Sequence, residues 1–127
     1  MEYYTASRAP DSEEWLELDE SLRIDLVRES IGEDIEDDVP EDAEYLHAAI
    51  HVVVENQLAM GVDPVPATMA KLVRQGLSRH EALHAIGAIV SEDIFDLLQS
   101  NEKSWPESRY RRRLEKLTAK RWRKGQW

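Results

Sequence analysis

The sequence contains no cysteine, and this absence removes two kinds of chemistry. Without thiols the chain forms no disulfide and offers no thiolate to a metal. Any metal site must therefore use histidine, carboxylate or water. Chains without disulfides are typical of reducing compartments, so we expect a cytoplasmic protein.

Long apolar stretches are also missing. No run approaches the roughly 20 apolar residues that a membrane-spanning helix needs, so we expect no membrane partner. The first residues, MEYYTASRAPDSEE, have neither the basic nor the apolar region of a signal peptide. A length of 127 residues suits one domain with one modest core.

Charge is distributed unevenly, although the net charge is −10. Residues 1–44 carry seventeen acidic and three basic side chains, which gives −14. Residues 108–127 carry one acidic and nine basic side chains, which gives +8. Two such ends either attract each other or meet different partners.

Apolar residues recur at helical spacing, and capping patterns mark several helix starts. The sequence therefore predicts an all-α fold, with residues 1–127 forming a single compact bundle of about five helices. In chain order we predict a loose arm at 1–10, a first helix from Asp11 that stops at Gly32, and an acidic linker at 32–44. Three further helices are predicted from Asp42 to Met60, from Ala67 to Gln75 and from Ser78 through Leu97. The last predicted helix covers 105–123 and lies within a basic C-terminal segment at 104–127.

All four histidines fall into two pairs of equal spacing. His47 and His51 lie in the second predicted helix, and His80 and His84 lie in the fourth. Residues four apart sit on one face of a helix, so each pair presents two imidazoles together. We expect these two helices to pack as antiparallel neighbours with the pairs converging. The result is either a four-histidine site or three histidines and a carboxylate with an open position for water.

The ligand types favour zinc. Zinc accepts neutral imidazole readily, whereas iron chemistry would need a redox partner that the sequence does not indicate. Glu55, one turn beyond His51, is the predicted carboxylate ligand. The sequence thus predicts a small metal-binding domain.

Hydrolysis is a further expectation, because residues 80–84 match the His-Glu-x-x-His pattern. In that pattern Glu81 is the catalytic residue that activates zinc-bound water. Three observations argue against a protease. His80 falls in the first turn of its helix, Glu81 already pairs with Ser78 in a capping box, and Val90 stands where metzincins have a third histidine.

Two alternatives remain for the histidines. Glu44-x-x-His47 and Glu81-x-x-His84 have the spacing of dinuclear iron carboxylate bundles, so a dinuclear iron or mixed site is the second candidate. Those bundles take glutamates from two further helices, whereas Glu55 and Glu92 lie on the same two helices. In the other alternative, the histidines pack between helices and hydrogen-bond to carboxylates or to each other without a metal.

The basic tail has two interpretations. Its arginines and lysines are interleaved with Tyr110, Trp122 and Trp127, a composition typical of nucleic-acid binding. We favour docking, in which Tyr110, Leu114 and Leu117 pack on the domain and the basic face turns toward the acidic N-terminal region. The alternative function is a non-catalytic module that binds a protein or nucleic acid, with structural histidines.

Three segments, EEWLELDESLRIDLV, LHAAIHVVVENQLAMG and LSRHEALHAIGAIVSEDIFDLL, resemble a family of small bacterial domains of unknown function. The resemblance covers roughly residues 13–99, and the two His-x-x-x-His blocks are its most specific part. It implies a small helical cytosolic domain and supplies no activity. Residues 30–44 and the basic tail depart from it.

Overall fold

A computed structural model describes residues 1–31, 39–101 and 103–127. This part of the chain contains helices and no strand, with turns and irregular segments between the helices, which confirms the all-α prediction. Its helices are α1 (Ser12–Glu17), α2 (Glu20–Ile31), α3 (Glu44–Ala59), α4 (Val65–Arg74), α5 (Arg79–Gln99), α6 (Glu107–Lys116) and α7 (Ala119–Arg123), and a 3-10 turn (Glu41–Ala43) precedes α3. Most of the predicted acidic linker lies outside the described residues. None of the described helices combines the length and apolarity needed to cross a bilayer.

The first and last predicted helices are each divided, so the described residues form seven α-helices rather than five. The first begins as predicted, because the Asp11 side chain accepts a hydrogen bond from the Glu14 N–H at 3.0 Å. It stops at Leu18, where the backbone becomes extended, and α2 restarts after Asp19. In the tail, Leu117 is extended and the Thr118 side chain caps α7 through the Arg121 N–H.

The N-terminal arm is not loose, and this prediction is wrong. Tyr4 and Ala6 are each only 3 % exposed. The Tyr4 ring packs 5.6 Å from the ring of Trp15, which is fully buried. The first residues of the chain therefore belong to the core instead of preceding it.

Helix α3 lies at the centre of the fold and packs against α1, α2, α4 and α5. Its contacts with α5 run in opposite order along the two helices: His47 lies beside His84, whereas Glu55 binds Arg79. The helices approach closely at Gly87, where an added Cβ would lie 2.9 Å from the Ile50 Cγ2 atom. The missing side chain at Gly87 thus allows the histidine-bearing faces to meet.

The basic tail docks through its apolar face, as predicted. Tyr110, Leu114 and Leu117 are buried. The basic face, however, meets carboxylates other than those predicted. Arg113 donates to Asp93 at 2.8 Å and also pairs with Glu92, both on α5.

Another arginine of α6 also pairs with a carboxylate outside the acidic N-terminal region. Arg111 binds Asp63, in the turn between α3 and α4, at 2.8 Å. The expectation that the basic face meets the acidic N-terminal region is therefore corrected for the described residues. The buried apolar residues of the tail set how it docks on the domain, and its arginines pair with the carboxylates that lie beside this apolar contact.

Replacing Gly87 by alanine tests the close approach of α3 and α5. Overpacking typically costs about 1–3 kcal/mol, while the better helix propensity of alanine returns up to about 1 kcal/mol. We expect Gly87→Ala to lower the free energy of unfolding, measured by urea denaturation. In an Ile50→Ala background the same change should cost less, because the clashing methyl group is gone. A more stable single variant would contradict the close packing.

Candidate metal centre

Three histidines from two helices bring their ring nitrogens together. His47 and His51 on α3 and His84 on α5 each offer one nitrogen, and these nitrogens all lie within 4.8 Å of one another. The Nε2 atoms of His51 and His84 are 3.2 Å apart. His51 is 4 % exposed, and the other two are half-buried. The cluster therefore lies at the edge of the core, with access from one side.

Local sequence explains why these side chains meet. The four-residue spacing stacks the His47 and His51 rings with centroids 4.7 Å apart. The Ser78 side chain accepts from the Glu81 N–H at 3.0 Å and fixes the start of α5. This predicted cap is confirmed, and it sets where along α5 the imidazole of His84 projects.

The spacing of the nitrogens permits two chemical states. Two nitrogens that bind one tetrahedral zinc ion at about 2.0–2.1 Å lie about 3.3–3.4 Å apart, close to the 3.2 Å separation of His51 and His84. Without an ion, the same pair shares one proton, with one Nε2 donating and the other accepting. The His47 ring packs against the rings of His51 and His84, with centroids 4.7 and 5.2 Å away, and its nitrogen belongs to the same group of three.

His80 belongs to the cluster but lies outside this group of three nitrogens. It is 3 % exposed, and its ring centroid lies 4.5 Å from that of His84 and 5.5 Å from that of His51. All four predicted histidines are thus adjacent. His80 packs against the rings of His51 and His84 but adds no nitrogen to the group of three.

Glu55, the predicted carboxylate ligand, is engaged elsewhere. It is 1 % exposed. Its two oxygens accept hydrogen bonds from Arg79 at 2.8 and 2.9 Å, and one also accepts from the Tyr4 hydroxyl at 2.5 Å. Arg79 further donates to the Ala6 carbonyl at 3.0 Å. Glu55 therefore joins α3, α5 and the N-terminal segment, and it is absent from the nitrogen group.

Sequence reasoning missed Arg79 and Tyr4, although one signal was present. Arg79 is the first residue of α5, where the helix dipole disfavours a cation. A cation at that position indicates a nearby carboxylate. The sequence did not reveal which carboxylate, because Glu55 lies 24 residues away.

Tyr4 and Arg79, the two side chains that donate to Glu55, both keep their protons at neutral pH. Burial, followed by the negative charge of Glu55, raises the pKa of Tyr4 well above its ordinary value. Burial lowers the pKa of Arg79, but the hydrogen bonds and charge of Glu55 outweigh it and raise that pKa overall. At neutral pH a phenol and a guanidinium therefore both donate to Glu55.

The remaining predicted carboxylates also lie outside the nitrogen group, which contains only histidines among the described residues. Glu81 is half-buried in the first turn of α5, and its backbone is capped by Ser78. Glu92 pairs with Arg113. Glu44 is the first residue of α3. The structure thus gathers imidazoles alone, and the catalytic role of Glu81 stays a prediction.

A cavity of about 320 Å³ opens beside the three converging histidines, which form part of its wall. Most of the other lining side chains are apolar: Val39, Leu46, Ile50, Leu83, Gly87 and Ala88. Ala43 and the hydroxyl-bearing Ser91 complete the described lining. An ion on the histidines would therefore face an apolar space.

The Glu55–Arg79 pair should be important for stability. Glu55→Gln leaves the guanidinium without a charged partner, and breaking such a buried pair costs about 2–4 kcal/mol after allowance for the 15 % exposure of the Arg79 side chain. Glu92→Gln is the matched control, because Glu92 is 50 % exposed. Its loss should stay below about 1 kcal/mol. Equal losses in urea unfolding would refute a structural role for the pair.

Tyr4 gives a prediction for alkaline pH. Above about pH 10, the ordinary pKa of tyrosine, the unfolded chain releases this proton while the folded chain keeps it. The free energy of unfolding should therefore fall as pH rises through that range. Tyr4→Phe should make the decline shallower, which urea unfolding between roughly pH 9 and pH 11 measures. Identical slopes for wild type and variant would contradict the burial-driven shift.

No family model, curated protein or solved structure matches this chain. The resemblance to small bacterial helical domains consequently stays a prediction.

Proposed function

We propose that this chain is a small metal-binding domain whose ion is held by His47, His51 and His84. The observation that supports it is the convergence of three ring nitrogens from α3 and α5 within 4.8 Å. The contact order of these helices supports an antiparallel pairing, in which two i, i+4 faces meet. Zinc fits best, because all three donors are neutral imidazole nitrogens.

Packing alone accounts for less of this arrangement. Aromatic rings pack favourably in many relative orientations, so ring packing by itself does not require three nitrogens to lie within 4.8 Å of one another. A divalent ion binds three imidazoles at once, which fits three ring nitrogens that lie within 4.8 Å of one another.

Three histidine ligands have a chemical consequence. Catalytic zinc sites use three protein ligands and keep the fourth position for water, whose pKa zinc lowers to about 7. His80, packed against His51 and His84, would orient those ligands. A mononuclear site with an exchangeable fourth position is therefore the proposed state, in preference to a dinuclear iron site, which needs several carboxylates.

The interaction-module alternative is based on the basic tail. Docking accounts for the buried Tyr110, Leu114 and Leu117 and for the ion pairs of Arg111 and Arg113. Since these side chains belong to the core, deleting the tail would unfold the domain instead of testing its binding. The tail is therefore part of the fold.

Metal binding should depend on three of the four histidines. We expect purified protein to bind one cobalt or zinc ion per chain, with a tetrahedral cobalt spectrum. His47→Ala, His51→Ala and His84→Ala should abolish stoichiometric binding. His80→Ala should retain the ion with about 10–100-fold lower affinity, the usual cost of losing an orienting neighbour. Cobalt absorption and zinc competition with a chromophoric chelator measure both effects.

Two further measurements make this prediction specific. The Glu55→Gln variant should be less stable than wild type, yet it should still bind the ion when folded. Glu55 pairs with Arg79 and is not a ligand in the proposed site. Excess chelator should lower the melting temperature of metal-loaded wild type. A folded wild-type protein with sub-stoichiometric metal and no response to chelator would refute the proposed function and leave the packing explanation.

A further inference from the structure

The cavity beside the histidines indicates what the metal centre would bind. It holds about 320 Å³, at the small end of the range for ligand pockets. His47, His51 and His84 line it, so the fourth position of their ion would be reached from this space. This inference rests on the proposed metal site.

The lining restricts the charge of the ligand. Apart from the three histidines, none of the described residues in the wall is acidic or basic. Three neutral imidazoles leave the charge of a divalent ion uncompensated, which favours an anionic oxygen donor. Beyond the ion, the described lining offers no lysine or arginine to pair with a second anionic group at the far end of the ligand, and burying such a group unpaired would be costly. The expected ligand is therefore a monoanion.

The same lining also indicates the size and polarity of the rest of the ligand. Leu46, Ile50, Leu83 and Ala88 offer apolar surface and no hydrogen-bonding side chain. At about 30 Å³ for each water-sized group, the volume accommodates about ten non-hydrogen atoms. A carboxylate head takes three of them, which leaves room for a short hydrocarbon body.

We propose that the site binds small monocarboxylates, with the carboxylate on the metal ion and an uncharged apolar body in the cavity lined by Leu46, Ile50, Leu83 and Ala88. The ion supplies the charge recognition, and the cavity selects by size and polarity. Longer chains gain affinity by burying more apolar surface until the cavity is full.

A homologous series tests the proposal on the full chain loaded with cobalt. Acetate, butyrate, hexanoate and decanoate are titrated while the cobalt spectrum reports exchange of the fourth ligand. Affinity should rise about fourfold per methylene, on the order of a hundredfold from acetate to hexanoate. The gain should then level off, since decanoate exceeds the room available. Hexanoate should bind the metal-free protein far more weakly.

A cavity-filling variant locates the hydrocarbon body. Ala88→Leu should lower the affinity for hexanoate at least tenfold relative to acetate, because leucine occupies the space of about three methylenes. Ala70→Leu is the matched control on the exposed side of α4 and should leave the series unchanged. The cobalt spectrum before titration shows whether each variant forms its site. Ala43→Leu replaces Ala88→Leu if the latter does not.

The outcomes separate the two proposals. Failure of wild type to bind cobalt overturns the metal site and this inference together. Cobalt binding with equal affinities along the series overturns only the monocarboxylate proposal. Equal hexanoate binding with and without cobalt overturns the metal-anchored mode. A hexanoate preference that Ala88→Leu leaves intact shows that the hydrocarbon lies elsewhere, and it also overturns the proposal.

Discussion

The buried pair of Glu55 and Arg79 fixes the position of α3 relative to α5, and the rest of the structure depends on it. Removing two charges from water is costly, and here the cost is offset because both carboxylate oxygens receive hydrogen bonds from the guanidinium. Tyr4 adds a third donor, which extends the network to the N-terminal segment. Eight residues along α5 from Arg79, the absent side chain of Gly87 lets Ile50 approach. His84 lies between these two fixed points and is therefore held against α3.

This arrangement separates the residues that stabilise the fold from those of the proposed metal site. Glu55 and His51 are one turn apart on α3, yet the carboxylate turns to Arg79 while the imidazole turns to the cluster. The Glu55–Arg79 pair restricts the relative motion of α3 and α5, so little reorganisation would be needed for the nitrogens to bind one ion. The weakly polar cavity beside them adds a space in which an ion's fourth ligand can be selected. Preorganisation by a structural ion pair is thus the physical basis of the proposed site.

The basic tail shows the same combination of apolar docking and selective pairing. Asp93 is fully buried on α5 and is the partner of Arg113, with Arg109 3.7 Å away. The exposed pair of Arg111 with Asp63 contributes little by comparison, since both side chains are largely in water. Burial of Tyr110 and Leu114 therefore dominates the attachment of α6, and Asp93 pairs with the arginines that flank this apolar face. The tail's positive charge is partly neutralised within the domain by Asp63, Glu92 and Asp93.

The sequence by itself determined the helical class, the faces of α3 and α5, and the pairing of the histidines. These follow from helical periodicity and from local caps at Asp11 and Ser78, which involve residues three or four apart. The tertiary structure decided the breaks at Leu18 and Leu117, the role of Glu55 and the three-plus-one arrangement of the histidines. Each of these depends on a contact between distant segments, such as Tyr4 with Glu55, 51 residues apart. A carboxylate one turn from a histidine has equivalent local surroundings whether it binds a metal or an arginine, and only packing distinguishes the two.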